Sequence, residues 1–226
     1  QKPDELLLVL NGLDELTSQA LKSFVGKYPV QYVESEKTRP LSDGLNDAVS
    51  IASFDYVARI DPDDVCMPER FEKQMVFMEA NPNIDILGCA VKKGPKTKNY
   101  PQSHESIARA MRLANVIAHP SVMAKKSALM FEGGYPAVKK SQDYLLWLRL
   151  LKSGHLFATL PEVLVELGQD GLAVRRGLKY FRSEVSVLSF AARESLIPIR
   201  FVFLNLAVRF VLRSTPLPLR RMLYGT

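Results

Sequence analysis

The 226-residue chain is poor in the residues that most often announce chemistry: two cysteines, three histidines and one tryptophan. Cys66 and Cys89 are too far apart for a CxxC metal site and too few for a disulfide framework. Both are expected as small buried apolar residues in a reducing compartment. His104, His119 and His155 fall at no ligand spacing, and no HExxH, GxSxG, P-loop or GxGxxG motif occurs. No apolar run reaches about 18 residues, so no conventional spanning helix is expected. No signal-peptide pattern precedes the first apolar segment. Internal repeats and low-complexity tracts are also missing.

What is there is an ordinary globular composition, 47% hydrophobic and 24% charged, ample for a buried core. Charge is the uneven part. Of 30 basic and 24 acidic residues, ten basic ones but only Glu184 and Glu194 lie after Asp170. The body is near neutral and the tail strongly positive, which points to an anionic partner: a membrane surface, a nucleic acid or a phosphorylated substrate. Nucleic acid is a poorer match, because no recognition module accompanies the charge.

Glu5–Leu10 reads as a buried strand closed by Asn11-Gly12, and Asp14–Tyr28 has helical spacing. Val30–Val33 is a second strand, Ser42–Ala52 a second helix and Tyr56–Ile60 a third strand. Pro68 opens a helix that Asn81-Pro82 stops, and Ile84–Val91 is a fourth strand. This alternation predicts βαβ units and a mostly parallel sheet. Beyond it lie a polar loop at Lys92–Ser103, a short strand at Ser121–Lys125 and an amphipathic helix at Ser141–Ser153. Long helical stretches follow at Gly171–Glu194 and Ile199–Arg213. The division expected is a body over residues 1–170 and a basic, apolar helical extension over 171–226.

Three local features could carry chemistry. Asp61-Pro62-Asp63-Asp64 ends a predicted strand, where ligands bind in open α/β sheets. Three carboxylates in four residues repel one another unless a cation or solvent offsets them, and Mg²⁺ or Mn²⁺ there could bridge a nucleotide diphosphate. A solvated turn would look the same. Asp143 falls in the first turn of its helix, with Ser141 as N-cap, which suits either simple capping or a carboxylate base at a cleft. His119 precedes Pro120 and is extended; alone, it fits a packed histidine as well as a working one.

These segments together resemble the bacterial family 2 glycosyltransferases. The resemblance runs through Tyr56-Val-Ala-Arg-Ile-Asp-Pro-Asp-Asp64 to Gln74, Asn81–Gly88, Ala118-His-Pro-Ser-Val-Met123 and Gly133-Gly-Tyr-Pro136. It continues through Gln142-Asp-Tyr-Leu-Leu-Trp-Leu-Arg-Leu150 to Arg175–Tyr180, in the family's order over about residues 3–182. The subgroup it looks most like builds capsular, exopolysaccharide or lipopolysaccharide chains. The resemblance implies a GT-A α/β fold and an inverting, metal-dependent transfer from a nucleotide-diphosphate sugar, expected to be a UDP-sugar. Asp63 would be the main ligand of Mn²⁺ or Mg²⁺, with Asp61 against the metal or ribose. Asn11 would stand where an acidic donor-binding residue is usual. Asp143 would be the general base, with Gln142 replacing the usual Glu before it, and His119 would line the acceptor side. The acceptor implied is a glycan or polyprenyl-linked glycan, with the enzyme cytoplasmic or peripheral on the inner face of the plasma membrane.

Three departures accompany the likeness. The strand and helix usual before Pro3 are missing, so the chain reads as truncated; Asn11 lacks the carboxylate; and Arg39-Pro40 replaces a usual glycine. No QxxRW follows Asp143, which argues against a processive synthase. The competing readings are a non-catalytic membrane-associated transferase remnant and a phosphohydrolase built on Asp61-x-Asp63, for which no downstream acidic pair is evident.

Overall fold

The computed structural model describes residues 3–25, 30–138, 140–168 and 177–214. Strand β1 (Leu6–Asn11) pairs in parallel with β2 (Val30–Ser35) across helix α1 (Glu15–Val25). Helix α2 (Leu41–Ile51) lies against β1. A larger sheet follows, built from β3 (Tyr56–Ala58), β4 (Val65–Cys66), β5 (Ile84–Lys93), β6 (Lys96–Lys98), β7 (Met123–Lys125) and β8 (Leu156–Glu166). Its order is β3-β7-β5-β8-β4, with β6 hairpinned onto β5.

The α/β class is as expected, but the sheet is mixed rather than mostly parallel. Only β1–β2 and β5–β8 run parallel; β3–β7, β5–β7, β5–β6 and β4–β8 are antiparallel. Periodicity reveals that strands and helices alternate, not which strands become neighbours. Here β7 inserts between β3 and β5, so strands close in sequence are separated in space. The first polar loop is also more ordered than expected. Its start continues β5, turns at Gly94 and returns as β6, and helix α4 (His104–Met111) begins at its end.

The largest omission from the sequence reading is β8, which sits between β5 and β4. Its run is interrupted by Pro161, which ordinarily argues against an internal strand. The ladder tolerates it through a bulge: Cys89 faces Leu160 and Ala90 faces Val163, leaving exposed Pro161 and Glu162 outside the register.

Two apolar clusters flank the large sheet. Helix α3 (Arg70–Ala80) inserts Met78 against Leu87, Cys89, Val91 and Leu164. On the other side, helix α6 (Gln142–Lys152) buries Leu145, Leu146, Trp147 and Leu150 against Ile86 and Phe157. The same cluster takes Val187, Leu188 and Ala191 from α7 (Gly177–Arg193) and Val202 from α8 (Ile199–Ser214). The helical extension is therefore packed on the body through a continuous core. The expected helix over 171–176, the Arg175–Tyr180 segment up to Arg176, and Arg220-Arg221 lie outside the described residues. Cys89 is buried as expected, whereas Cys66 is half-exposed; both are free thiols.

Candidate active site

The acidic turn leaves the sheet directly after β3. Asp64 N–H donates to the Asp61 carbonyl at 3.1 Å, closing the turn at Pro62-Asp63. The side chains of Asp61, Asp63 and Asp64 bring carboxylate oxygens within 4.8 Å of one another. Arg59, two residues earlier and just past the end of β3, grips Asp61 with both ends of its guanidinium. Asp64 accepts the Gly168 N–H at 2.8 Å through one oxygen. Its other oxygen is buried with no hydrogen-bond partner among the described residues. Burial, then repulsion by Asp61 and Asp63, pushes the Asp64 carboxyl above its ordinary range.

An orphaned buried carboxylate oxygen beside two further carboxylates is the donor set that a hard dication suits. The three side chains thus fit Mn²⁺ or Mg²⁺. Gly168 closes this corner: a side-chain carbon there would land on the Asp63 main-chain oxygen and Asp63 side chain. Sequence reading chose Asp61 and Asp63 and missed Asp64 as a third member. It also missed Gly168, which lies 104 positions beyond Asp64.

Asp143 opens α6 at the far end of the site. Ser141 precedes it with left-handed backbone, φ 60°, and makes no capping bond with its side chain, contrary to the expected N-cap. The main-chain N–H groups of Tyr144 and of Asp143 itself favour the charged form of the Asp143 carboxylate. Asn115 donates to its Oδ2 at 2.7 Å. Asp143 keeps a narrow solvent face, yet it is crowded enough that burial raises its carboxyl above the ordinary value. Tyr144 N–H, Arg59 and Asn115 only partly offset this.

His119 is buried, with Nε2 2.9 Å from the Tyr135 hydroxyl and its ring edge-on to Trp147. Burial, helped by Arg59, drives its pKa well down, so the imidazole is neutral. Asn46 of α2 fixes Tyr135 by a reciprocal pair: its Nδ2 donates to Tyr135 O at 2.9 Å and its Oδ1 accepts Tyr135 N–H at 2.8 Å.

Arg59 links the two ends. Its charge bears on Asp61 and Asp64 and also on His119, Tyr135 and Asp143. Arg59 is held by Arg70, a fully buried arginine whose guanidinium donates to the Arg59 and Val122 carbonyls at 2.8 and 3.2 Å. Arg70 also reaches Cys66 Sγ and Gln74 Oε1. Gln74 in turn donates to Ser121 O at 2.9 Å, next to the His119 turn. An arginine and a glutamine one turn apart in a helix read as surface, which is why sequence alone gave Arg70 no role.

Asn11 occupies the end of β1. Its Oδ1 accepts Arg39 N–H at 2.8 Å and its Nδ2 donates to Arg39 O at 2.9 Å. It thereby fastens the loop that carries Arg39-Pro40. His104 and His155 stand apart, accepting Phe157 N–H and pairing with Asp85.

Residues 1–136 match glycosyl transferase family 2. The chain belongs to that family. It is 32% identical to the amylovoran biosynthesis glycosyltransferase AmsE of Erwinia amylovora, over 98% of this chain and 86% of AmsE. It is 29% identical to a UDP-Gal:alpha-D-GlcNAc-diphosphoundecaprenol beta-1,3-galactosyltransferase of Escherichia coli, over 98% of this chain and 84% of the relative. In fold it resembles the mannosyltransferase PcManGT of Pyrobaculum calidifontis, solved with GDP-Man and Mn²⁺. That match has a TM-score of 0.64 at 16% identity, covering 98% of this chain and 69% of that one. It also resembles S. aureus TarS in complex with UDP-GlcNAc, at a TM-score of 0.62 and 16% identity. The match covers 82% of this chain and 56% of the TarS chain. The family 2 protein described here is a glycosyltransferase of the GT-A fold, with relatives in exopolysaccharide and O-antigen biosynthesis.

Proposed function

We propose that this chain carries the donor and acceptor sites of an inverting, metal-dependent transferase. It would move a sugar from a UDP-sugar to a polyprenyl-diphosphate-linked glycan at the cytoplasmic membrane surface. The observation that carries the reading is the acidic trio and the half-buried, raised Asp143, both under the influence of the Arg59 charge. Relatives support the ligand classes, since one is named for UDP-Gal and a diphosphoundecaprenol acceptor.

Asp61, Asp63 and Asp64 would hold Mn²⁺ or Mg²⁺. When bound, the dication supplies charge neutralisation at the leaving diphosphate. Arg59 keeps Asp61 aimed and adds fixed positive charge between the diphosphate and the base. Asn11 acts through the Arg39 loop, shaping the nucleotide side. Asp143, as carboxylate, takes the proton from the acceptor hydroxyl. The freed oxygen attacks the anomeric carbon from the face opposite the diphosphate, whose C–O bond breaks with its electron pair. A single displacement inverts the configuration.

Neutral His119, locked to Tyr135, has no imidazolium proton to give as an acid; it forms a rigid wall on the acceptor side. Raising the carboxyl of a base brings it closer to the proton affinity it must match, provided it stays ionised at working pH.

Thermal shift with UDP and Mn²⁺ tests the donor site. A ligand at about 100 times its Kd stabilises by about 2.7 kcal/mol. A metal-dependent shift in the wild type that disappears in Asp63→Ala supports the reading. Equal shifts in both proteins would remove Asp63 and the trio from donor binding.

A further inference from the structure

Helix α8 has two unlike faces. At about 3.6 residues per turn, Val202, Asn205, Leu206 and Arg209 share the inner face. Val202 joins the core, Asn205 Nδ2 donates to Arg112 O at 2.9 Å, and Arg209 pairs with buried Glu184 at 2.9 Å. These contacts fix the rotation of α8 about its axis. The outer face then carries Ile199, Phe203, Leu204, Val208, Phe210 and Val211, all exposed, with Phe203 and Val211 at 67% and 62%. Among the described residues, Arg200 is the charged residue exposed on this helix.

Rolling the helix inward would bury these side chains, but it would break the Arg209–Glu184 ion pair and the bond from Asn205 to the Arg112 carbonyl. The apolar face is thus held toward the outside by polar anchors. A contiguous apolar face of this kind marks an interaction surface.

We infer that the outer face of α8 is the surface by which this protein lies on an anionic lipid bilayer. Charge selects that occupant. The segment from Gly171 onward holds ten basic residues and two acidic ones. Both acids are already engaged, Glu184 by Arg209 and Glu194 by Arg149 at 2.7 Å. Arg182, Arg193 and Arg200 are exposed. An apolar strip edged by cations seats at the boundary of headgroups and acyl chains, attracted by negative lipid. No helix among the described residues is long and apolar enough to cross a membrane, so α8 rests on the bilayer rather than spanning it. A second copy of the chain would favour the apolar strip equally but not the surrounding positive charge. The inference rests on the proposed function only for the lipid nature of the acceptor.

The test is flotation of the full chain with vesicles of phosphatidylcholine alone or mixed with phosphatidylglycerol. The wild type is expected to float with the mixed vesicles. Phe203→Glu/Val211→Glu should lose at least about tenfold in affinity, and Arg200→Glu about fivefold on anionic vesicles only. A second pair, Ile199→Glu/Val208→Glu, with melting curves for every variant, guards against misfolding. Failure of the wild type to float, or undiminished binding by both apolar-face pairs, overturns the inference. So does a concentration-dependent dimer that the same substitutions dissolve. UDP released on sugar transfer to a water-soluble, short-chain polyprenyl-diphosphate glycan separates the two readings: flotation without turnover would sink the proposed donor and acceptor reading and leave the surface standing. Turnover without flotation would do the reverse.

Discussion

The two ends of the active site are built in opposite ways. The acidic end consists of near-consecutive residues, Asp61 to Asp64, on a turn that remains half-open to solvent. The end proposed to hold the base is assembled from distant segments: Asn115 before the His119 turn, Tyr135, and Asp143 at the start of α6. The first end tolerates charge because solvent and Arg59 are at hand. The second has burial as its dominant effect, which suppresses charge on His119 and raises Asp143. A local motif can therefore cluster carboxylates, while a carboxyl raised by burial requires the core.

The sharpest break of that comparison is Asp143→Asn. Loss of a general base should lower turnover by about 10²–10⁴-fold, with UDP binding intact. Stability should move the other way. A carboxyl raised by folding opposes the folded state as pH climbs through its raised value. Asp143→Asn should therefore melt higher than wild type at neutral pH. The gain should vanish as pH falls toward the ordinary value of 3.8. A lower melting temperature at neutral pH would show that burial does not dominate there.

Arg70→Lys ranks next. Lysine cannot reproduce the forked contacts to Arg59, Val122 and Gln74, so about 3 kcal/mol of stability should be lost. Chemical denaturation would measure it. Because Arg70 underlies Arg59, donor affinity should weaken as well.

A smaller effect is expected from Tyr135→Phe. It leaves His119 Nε2 buried without its hydroxyl partner, costing about 1–2 kcal/mol. If the pair is only a rigid wall, kcat should fall modestly with the acid limb of the pH profile unchanged. His119 adds its own pH signature. A histidine kept neutral by folding loses stability as pH drops through its unfolded value of 6.5, and His119→Phe should remove that part of the acid sensitivity.

Gly168→Ala should act on the acidic trio. The added carbon must displace the Asp63 main chain and side chain, so the deciding readout is a weaker Mn²⁺-dependent thermal shift, measured against the variant's own metal-free melting temperature. An unchanged shift would mean that the trio adapts freely and that Gly168 has no part in shaping it.

Much of the fold's first half was legible because its signals are local. Apolar runs, Pro68 and Asn81-Pro82 bounded strands and helices close to where they occur. The acidic turn was visible because its residues are adjacent. Strand β8 was hidden by Pro161, whose strand-breaking effect is offset only by a bulge opposite β5. Arg70 was hidden because an arginine's burial depends on carbonyls 11 and 52 positions away.

By itself, the sequence determined the α/β alternation, the carboxylate-rich turn, the positive tail and the family. The tertiary structure decided the mixed strand order, the joining of Asp64 with Gly168, the neutrality of His119 and the outward face of α8. The physical reason is range. Propensity and charge count act along the chain, whereas burial, partner choice and desolvation exist only once distant segments have closed on one another.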